Sequence, residues 1–584
     1  MHGLGGQGVV AVCFLVFALL VWSGGAWGAE NQALEAYSFS LPPQAFTLVA
    51  IDHMENVRPD CLPRSASDQL SASATPGEYE PLSFVIYAQQ DLDQVEVRVT
   101  DLRSSGQAIA FENVEMRCVR WMARRWRYSA TPRSENLVPD PFYLEAYRPF
   151  SLCEGQMKQI WLTVKVPEDA AAGEYIGHVS VTADHQGECR LPIRVEVLPF
   201  TLRNSEKRLS IYYRNYGARS SEQRRRDFQD MRDHGLRHAI IRPSLTYRVR
   251  RVDGEFRFVP DFLDVRTVIE EMREYGFEGP YVVHSGFAGL WNQLDGLPQP
   301  QRLELYQRVL GDLGTALIEL EEELGVEIVL QHLDEVFKTE VRERYELLTR
   351  PTVGIDGLKF YITFYPHEDE TLMQWVDPLV HIRNYHGAAA DAWLAKGRTF
   401  DDLAEYMNPE GDRLWLYYNA EEVEMDPRWM RIINGIYLWL SPYELHAIWA
   451  YSEPKGDLFD DTDGASGTMG MAFIDPRDGS LLSTRHWEAY REGGDDLRYL
   501  ATLEQLMQER GESAPVACAA ARHYLEELRS SWWPQEPLAG RRGYQAAIVR
   551  AMNAEHPLGA LKILRRQVAD HIEAILAESL RDEQ

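Results

Sequence analysis

Apolar and polar positions alternate through residues 40–200. Segments at 84–87, 95–100, 160–166 and 178–182 alternate or run apolar over strand lengths, and turn residues such as those at 169–174 separate them. Short strands at this spacing predict a β-sandwich, with 193–199 as its last strand and 201–207 as a short linker. From Leu209 the rhythm changes. Strands are predicted at 211–215, 239–242, 281–284, 326–332, 359–364, 379–383, 414–418 and 446–451. Helical patterns fall between them at 221–234, 262–275, 302–324, 340–349, 400–407 and 428–440, with a faint one near 370–376. Repeated βα units of this number and length predict a (β/α)8 TIM-like barrel. A doubly wound sheet is the alternative, but no glycine-rich phosphate loop follows any strand. Helices are predicted at 497–510, 517–531 and 544–580, broken near Trp532-Trp533-Pro534. The pattern therefore divides the chain into a sandwich (40–200), a barrel (208–500) and a helical region (501–584).

The first 28 residues carry no Lys, Arg, Asp or Glu, and an apolar run at 9–22 is followed by small residues. Residues 1–28 read as a signal peptide cut before Ala29, which predicts a secreted or periplasmic protein. The run is short for a spanning helix of ~20 residues, although an uncleaved anchor is the alternative. No other segment is long and apolar enough to form an integral membrane domain. Cys13 lies inside the run, and no Cys follows the small residues as a lipoprotein would need. In an exported chain Cys61, Cys118, Cys153 and Cys189 have three pairings open to them, with free thiols as the alternative. Cys518 stands alone, and no CxxC or His/Cys cluster points to zinc. No cofactor or metal is expected.

Charge narrows the ligand. Of 584 residues, 89 are acidic and 60 basic, a net charge of −29 that repels nucleic acid over most of the surface. Fifteen Trp and 28 Tyr supply flat aromatic faces suited to a neutral carbohydrate.

In a barrel of this kind chemistry sits where the strands end. Those ends carry Arg214 and Asn215, Arg242, His284, Asp334 and Glu335, and Tyr365. Further along come Asn384 and Tyr385, Tyr418 and Asn419, Glu421 and Glu422, Trp449, and Glu453. Paired-His metal, GxSxG and P-loop motifs are missing. Carboxylates among aromatics suit glycoside hydrolysis, which needs an acid for the leaving oxygen and negative charge for an oxocarbenium-like state. Leu333-Asp334-Glu335 closes the fourth strand, and two adjacent carboxylates reach one pocket only where a strand is ending. The plain alternative is a pair of solvated acids. Arg485, Glu488 and Arg491 recur at helical spacing and are expected to form structural ion pairs.

Several segments resemble glycoside hydrolase family 123, the β-N-acetylgalactosaminidase family, and its uncharacterised relatives. Gly77-Glu-Tyr-Glu-Pro-Leu and Val166-Pro-Glu-Asp-Ala-Ala-Ala-Gly-Glu-Tyr are similar to its N-terminal domain. Asp475-Pro-Arg-Asp-Gly-Ser and Ser483-Thr-Arg-His-Trp-Glu-Ala-Tyr-Arg-Glu-Gly-Gly-Asp-Asp are similar to the segment that closes its barrel. The resemblance spans most of 75–505 and implies substrate-assisted cleavage with retention, in which the sugar's own 2-acetamido oxygen attacks its anomeric carbon. It implies that Asp334 orients the acetamido N–H and that Glu335 protonates the leaving oxygen. Arg214, His284, Tyr365, Asn384, Tyr418 and Trp449 are the candidates for holding the sugar. Two alternatives stay open. One is a two-carboxylate retaining enzyme with Glu421 or Glu422 as nucleophile, and the other a non-catalytic carbohydrate-binding or surface scaffold protein.

The linker at 201–207 has no Gly or Pro run to give it reach, so sandwich and barrel are expected to form one fixed unit. A chain starting at Leu209 should then expose apolar surface and aggregate. Soluble, monomeric and fully active material by size-exclusion chromatography and assay would show the two parts to be independent.

Overall fold

The computed structural model describes residues 45–57, 63–125, 137–252, 255–332, 334, 343, 346–364, 380–387, 399–407, 413–419, 426–460, 469–533 and 552–582. Two sheets are built from the N-terminal region. One has the order Phe46–Ile51, Tyr79–Ala88, Met157–Lys165, Val114–Arg125, Leu137–Ala146, Leu481–Thr484, Ala472–Ile474. The other runs Leu70–Ala74, Cys189–Val197, Gly173–Thr182, Leu92–Val99, Phe150–Leu152, with a short pair at Leu102–Arg103 and Ala108–Ile109 alongside. Strict alternation explains the packing: on Cys189–Val197 the residues Leu191, Ile193, Val195 and Val197 are buried and their neighbours are not. Those side chains share one apolar core with Leu82, Phe84 and Ile86 of the other sheet.

The last two strands of the first sheet come from far along the chain. After the central region the polypeptide returns as a hairpin, and Ser483 and Thr484 pair with Leu144 and Tyr143. Tyr143 donates its hydroxyl to the carbonyl of Leu458 at 2.9 Å, fastening the same seam.

Eight parallel strands form the central sheet: β1 (Arg208–Tyr212), β2 (His238–Ile240), β3 (Tyr281–His284), β4 (Ile328–Gln331), β5 (Phe360–Phe364), β6 (Ile382–His386), β7 (Arg413–Asn419) and β8 (Leu445–Trp449). β1 pairs with both β2 and β8, so the sheet curls into a nearly closed barrel. Between β2 and β3 the ladder is replaced by one bridge, Ser244 to His284, beyond the end of β2. A hairpin at Thr246–Val252 and Glu255–Asp261, which apolar periodicity did not reveal, is inserted directly after it.

Each barrel strand splits its side chains between two cores. Tyr212, Ile240, Val282, Val329, Tyr361, Ile382, Trp415, Tyr417 and Leu445 fill the lumen. Ile211, Ala239, Val283, Leu330, Phe360, Leu416 and Ile448 face the surrounding helices. The sixth strand lies three residues later than the apolar pattern predicted. Asn384 and His386, buried in its inward row, break the run of apolar letters by which a buried strand is recognised.

Helix Ser221–Asp233 starts at a capping box: Ser220 Oγ accepts from Gln223 N–H, and Gln223 Oε1 accepts from Ser220 N–H. The helix predicted from 497 begins earlier, at Arg485, and runs to Glu509. Its first turns are rich in charged residues that are buried rather than solvated, so an amphipathic stripe is absent. Helices Pro515–Trp532 and Ala560–Asp582 follow. No helix among the described residues is long and apolar enough to cross a membrane. Cys118, Cys153 and Cys518 are free thiols, and Cys61 and the N-terminal 28 residues lie outside the described residues.

A buried ionic cluster ties these parts together. Arg565 reaches Asp496 (2.7 Å), Glu80 (2.9 Å), Glu492 (3.1 Å) and Glu78 (3.4 Å). Arg431 reaches Asp496 (2.6 Å) and Glu492 (3.2 Å). With four carboxylates to two guanidiniums, burial pushes Glu78 up to about 7, helped by Asp495, and pushes Glu80 and Glu492 up as well. Burial acts on Asp496 too, but Arg431 and Arg565 outweigh it and hold Asp496 down. For Glu488, Arg491, His234 and Arg117 outweigh burial and hold it down to about 2. An acid whose folded pKa is raised stabilises below its unfolded value and loses that contribution as pH rises through the folded value. The melting temperature is therefore expected to fall as pH rises from about 4.5 to about 7, with Glu78 accounting for at most about 3 kcal/mol. It should fall again below pH 4, where the depressed carboxylates take up protons. Glu78→Gln should flatten the fall between about pH 4.5 and about pH 7 in calorimetry, and an unchanged slope would rule out Glu78 as its source.

Candidate active site

At the C-terminal ends of the barrel strands lies a cleft of about 370 Å3, lined by Arg214, Arg242, His284, Gln331, His332 and Asp334, with Ile241 and Ser244 completing the wall. Asp334 follows β4 and is held from two directions. Thr363 of β5 donates its hydroxyl to Oδ1, and Gln331 Nε2 donates to the same oxygen at 3.3 Å. Oδ2 turns toward Arg242, whose Nη1 is 3.9 Å away, beyond hydrogen-bond reach. That Nη1 donates instead to Gln331 Oε1 at 2.9 Å.

Arg242 is aimed by an uncommon backbone. Its φ is 61°, in the left-handed region that side chains avoid, and Pro243 follows it. Its guanidinium stands 5.5 Å from the ring centre of Tyr212 and 5.3 Å from that of Trp449. Trp449, half-buried at the end of β8, also lies 4.7 Å from the Arg214 guanidinium. Glu453 locks both in place, accepting from Trp449 Nε1 at 2.7 Å and from Arg214 Nη1 at 2.9 Å. In the lumen, Asn384 Nδ2 donates to the hydroxyls of Tyr212 (2.9 Å) and Tyr361 (2.5 Å), which also bond to each other. Burial pushes both phenols above their ordinary range, so they remain neutral donors.

Arg214, His284 and Asp334 therefore share one cleft, with Trp449 beside it. Asn384, predicted at a strand end, lies inside β6 and holds the tyrosine pair. Tyr418 is a correction: it faces the outer helical core with Leu416, while its neighbour Tyr417 takes the inward position. Alternation decides this, because Trp415 and Tyr417 set the inward phase of β7. Glu335, Tyr365, Glu421 and Glu422 lie outside the described residues. Sequence reasoning overlooked Tyr212, Gln331, Thr363 and Tyr361. Their signal was the same period of two, since each lies on an inward row of the strands. Arg491 does pair with Glu488, and His234 lies 3.6 Å from the same carboxylate. Among the described residues no group of three or more His, Cys, Asp or Glu side chains is placed to hold a metal.

Residues 59–183 match the glycoside hydrolase 123 N-terminal domain. The structure of a family 123 glycoside hydrolase from Clostridium perfringens, described for its hydrolysis of glycolipid glycans, aligns over 92% of this chain and 100% of that one. The TM-score is 0.65 at 14% identity, a likeness of fold. A family 39 glycoside hydrolase from Bacteroides cellulosilyticus WH2 aligns over 74% of this chain and 82% of that one, at 10% identity and a TM-score of 0.34. No curated protein matches the sequence. The domain match and the fold together support an enzyme that hydrolyses glycosides. Within that class the similarity is to glycoside hydrolase family 123, the family that its sequence segments resemble.

Trp449→Ala should raise KM for a glycoside substrate about tenfold, the loss of one aromatic contact, with an unaltered circular dichroism spectrum. An unchanged KM would remove Trp449 from the binding surface.

Proposed function

We propose that this enzyme releases a terminal 2-acetamido-2-deoxy sugar, of the β-N-acetylgalactosaminide type, by substrate-assisted catalysis with retention. The observation that carries the reading is the setting of Asp334. One carboxylate oxygen is taken up by Thr363 and Gln331, and the other is turned into the cleft. Oδ2 is thereby free to accept the acetamido N–H and to offset the positive charge that develops on the oxazolinium ring. Glu335, next in the chain, acts as acid toward the leaving oxygen and then as base toward water. Arg214 and His284 donate to sugar hydroxyls, and Trp449 presents its ring to the sugar's apolar face. A cleft lined by a fixed carboxylate and two arginines disfavours the non-catalytic alternative. The (β/α)8 barrel and sandwich are the scaffold for this chemistry, and residues 1–28 direct export.

The test is a panel of aryl 2-acetamido-glycosides beside plain aryl glycosides. Turnover should be confined to the former, with tight inhibition by a thiazoline analogue of the intermediate. Equal turnover of both sets, without thiazoline inhibition, would instead favour the two-carboxylate mechanism. Asp334→Asn should lower kcat by about 10²–10³ with little change in KM. Glu335→Gln should lose about 10²–10⁴ on ordinary leaving groups and far less on a very acidic one.

A further inference from the structure

We infer that Gln331 is a positioning residue that keeps Arg242 from closing onto Asp334, so that Asp334 Oδ2 stays open to substrate. The inference rests on the reading of Asp334 as the group that orients the acetamide. A guanidinium and a carboxylate that face each other normally close to about 2.7–2.9 Å. Here the approach stops at 3.9 Å. The Gln331 amide accounts for this. Its Oε1 accepts from Arg242 Nη1 at 2.9 Å and its Nε2 donates to Asp334 Oδ1 at 3.3 Å. Its two ends are thus fixed by opposite partners, which sets the amide orientation.

An amide offers an acceptor to a cation and a donor to an anion within one planar group. A glutamate at 331 would repel Asp334, and a leucine would hold neither partner. Two further restraints keep Arg242 in place for the amide to meet: the left-handed backbone at Arg242 and the rings of Tyr212 and Trp449 beside its guanidinium. Gln331 is itself buried, at 2% exposure, so its geometry is set by the inward row of β4 rather than by solvent. The consequence is a cation close enough to bind sugar hydroxyls and far enough away to leave the Asp334 charge unspent.

The experiment uses the full chain with Gln331→Leu and Gln331→Glu. Crystal structures should show Arg242 within about 3 Å of Asp334 in the leucine variant. With an aryl 2-acetamido-glycoside, kcat of that variant should fall tenfold or more while KM changes little. The acid limb of its kcat/KM profile should move about one pH unit lower, because a contacting guanidinium keeps a carboxylate charged to lower pH. The glutamate variant should move the same limb higher, because a neighbouring like charge favours protonation. A purely structural role would give no such opposed shifts. An unchanged Arg242–Asp334 distance in the leucine variant, or limbs that do not move apart, would overturn the inference. Absence of any turnover by the native enzyme would instead sink the proposed function, and the distance would still decide the role of Gln331.

Discussion

Arg565, on the last helix, places its guanidinium among carboxylates contributed by two distant parts of the chain: Glu78 and Glu80 from the N-terminal sheets, and Glu492 and Asp496 from helix Arg485–Glu509. Arg431, from the helix before β8, completes the cluster. Each of these charges is costly to bury alone, and removing one partner would strand the others away from water. The cluster therefore specifies a joint arrangement of sheets, barrel and terminal helix that apolar packing would leave free to slide. Glycine makes the approach feasible. A Cβ at Gly493 would stand 2.5 Å from the carbonyl of Arg431, so a side chain there would push the two helices apart.

The hairpin Ala472–Ile474 and Leu481–Thr484 acts to the same end by a different interaction. It gives two strands to a sheet whose first strand begins at Phe46, 435 residues before Leu481 in the chain. Arg485, at its exit, donates to the carbonyls of His53 (2.9 Å) and Glu55 (2.8 Å) and to Asn56 Oδ1 (2.7 Å). The turn after the first strand and the start of the closing helix are thereby stitched together. Trp449 and Glu453 at the cleft, and the seam to the N-terminal sheet, thus lie on one short stretch of chain.

At the cleft itself, rigidity comes from polar groups held by partners rather than from apolar packing. Glu453 fixes Trp449 and Arg214, Asn384 fixes Tyr212 and Tyr361, and Gln331 stands between Arg242 and Asp334. Each also links strands or loops remote in sequence: Glu453 to Arg214, Asn384 to Tyr212, and Gln331 to Arg242. The inward rows of β1, β4, β5 and β6 carry Tyr, Gln, Thr and Asn, whose polar groups bond to one another across strands or meet on Asp334.

The eight-strand rhythm, the sheets before it and the helices after it were legible in the sequence because each depends on local periodicity, two for strands and 3.6 for helices. The place of Asp334 at the cleft was legible as well, since a strand end and an acidic residue are visible in a row of letters. The phase of β6 was not, because buried Asn384 and His386 read as polar surface. Nor was the outward turn of Tyr418, which hangs on which of two adjacent aromatics meets the lumen. The inserted hairpin, the return of residues 472–484 to the first sheet, and the buried charges of Arg485–Glu509 were also decided only by the tertiary structure. For the returning hairpin and for Glu492 and Asp496 the partners lie dozens to hundreds of residues away, and a charged or amide side chain looks the same in sequence whether it meets water or a buried counterpart. Burial and pairing are properties of the folded neighbourhood, and the chemistry of Asp334 depends on that neighbourhood.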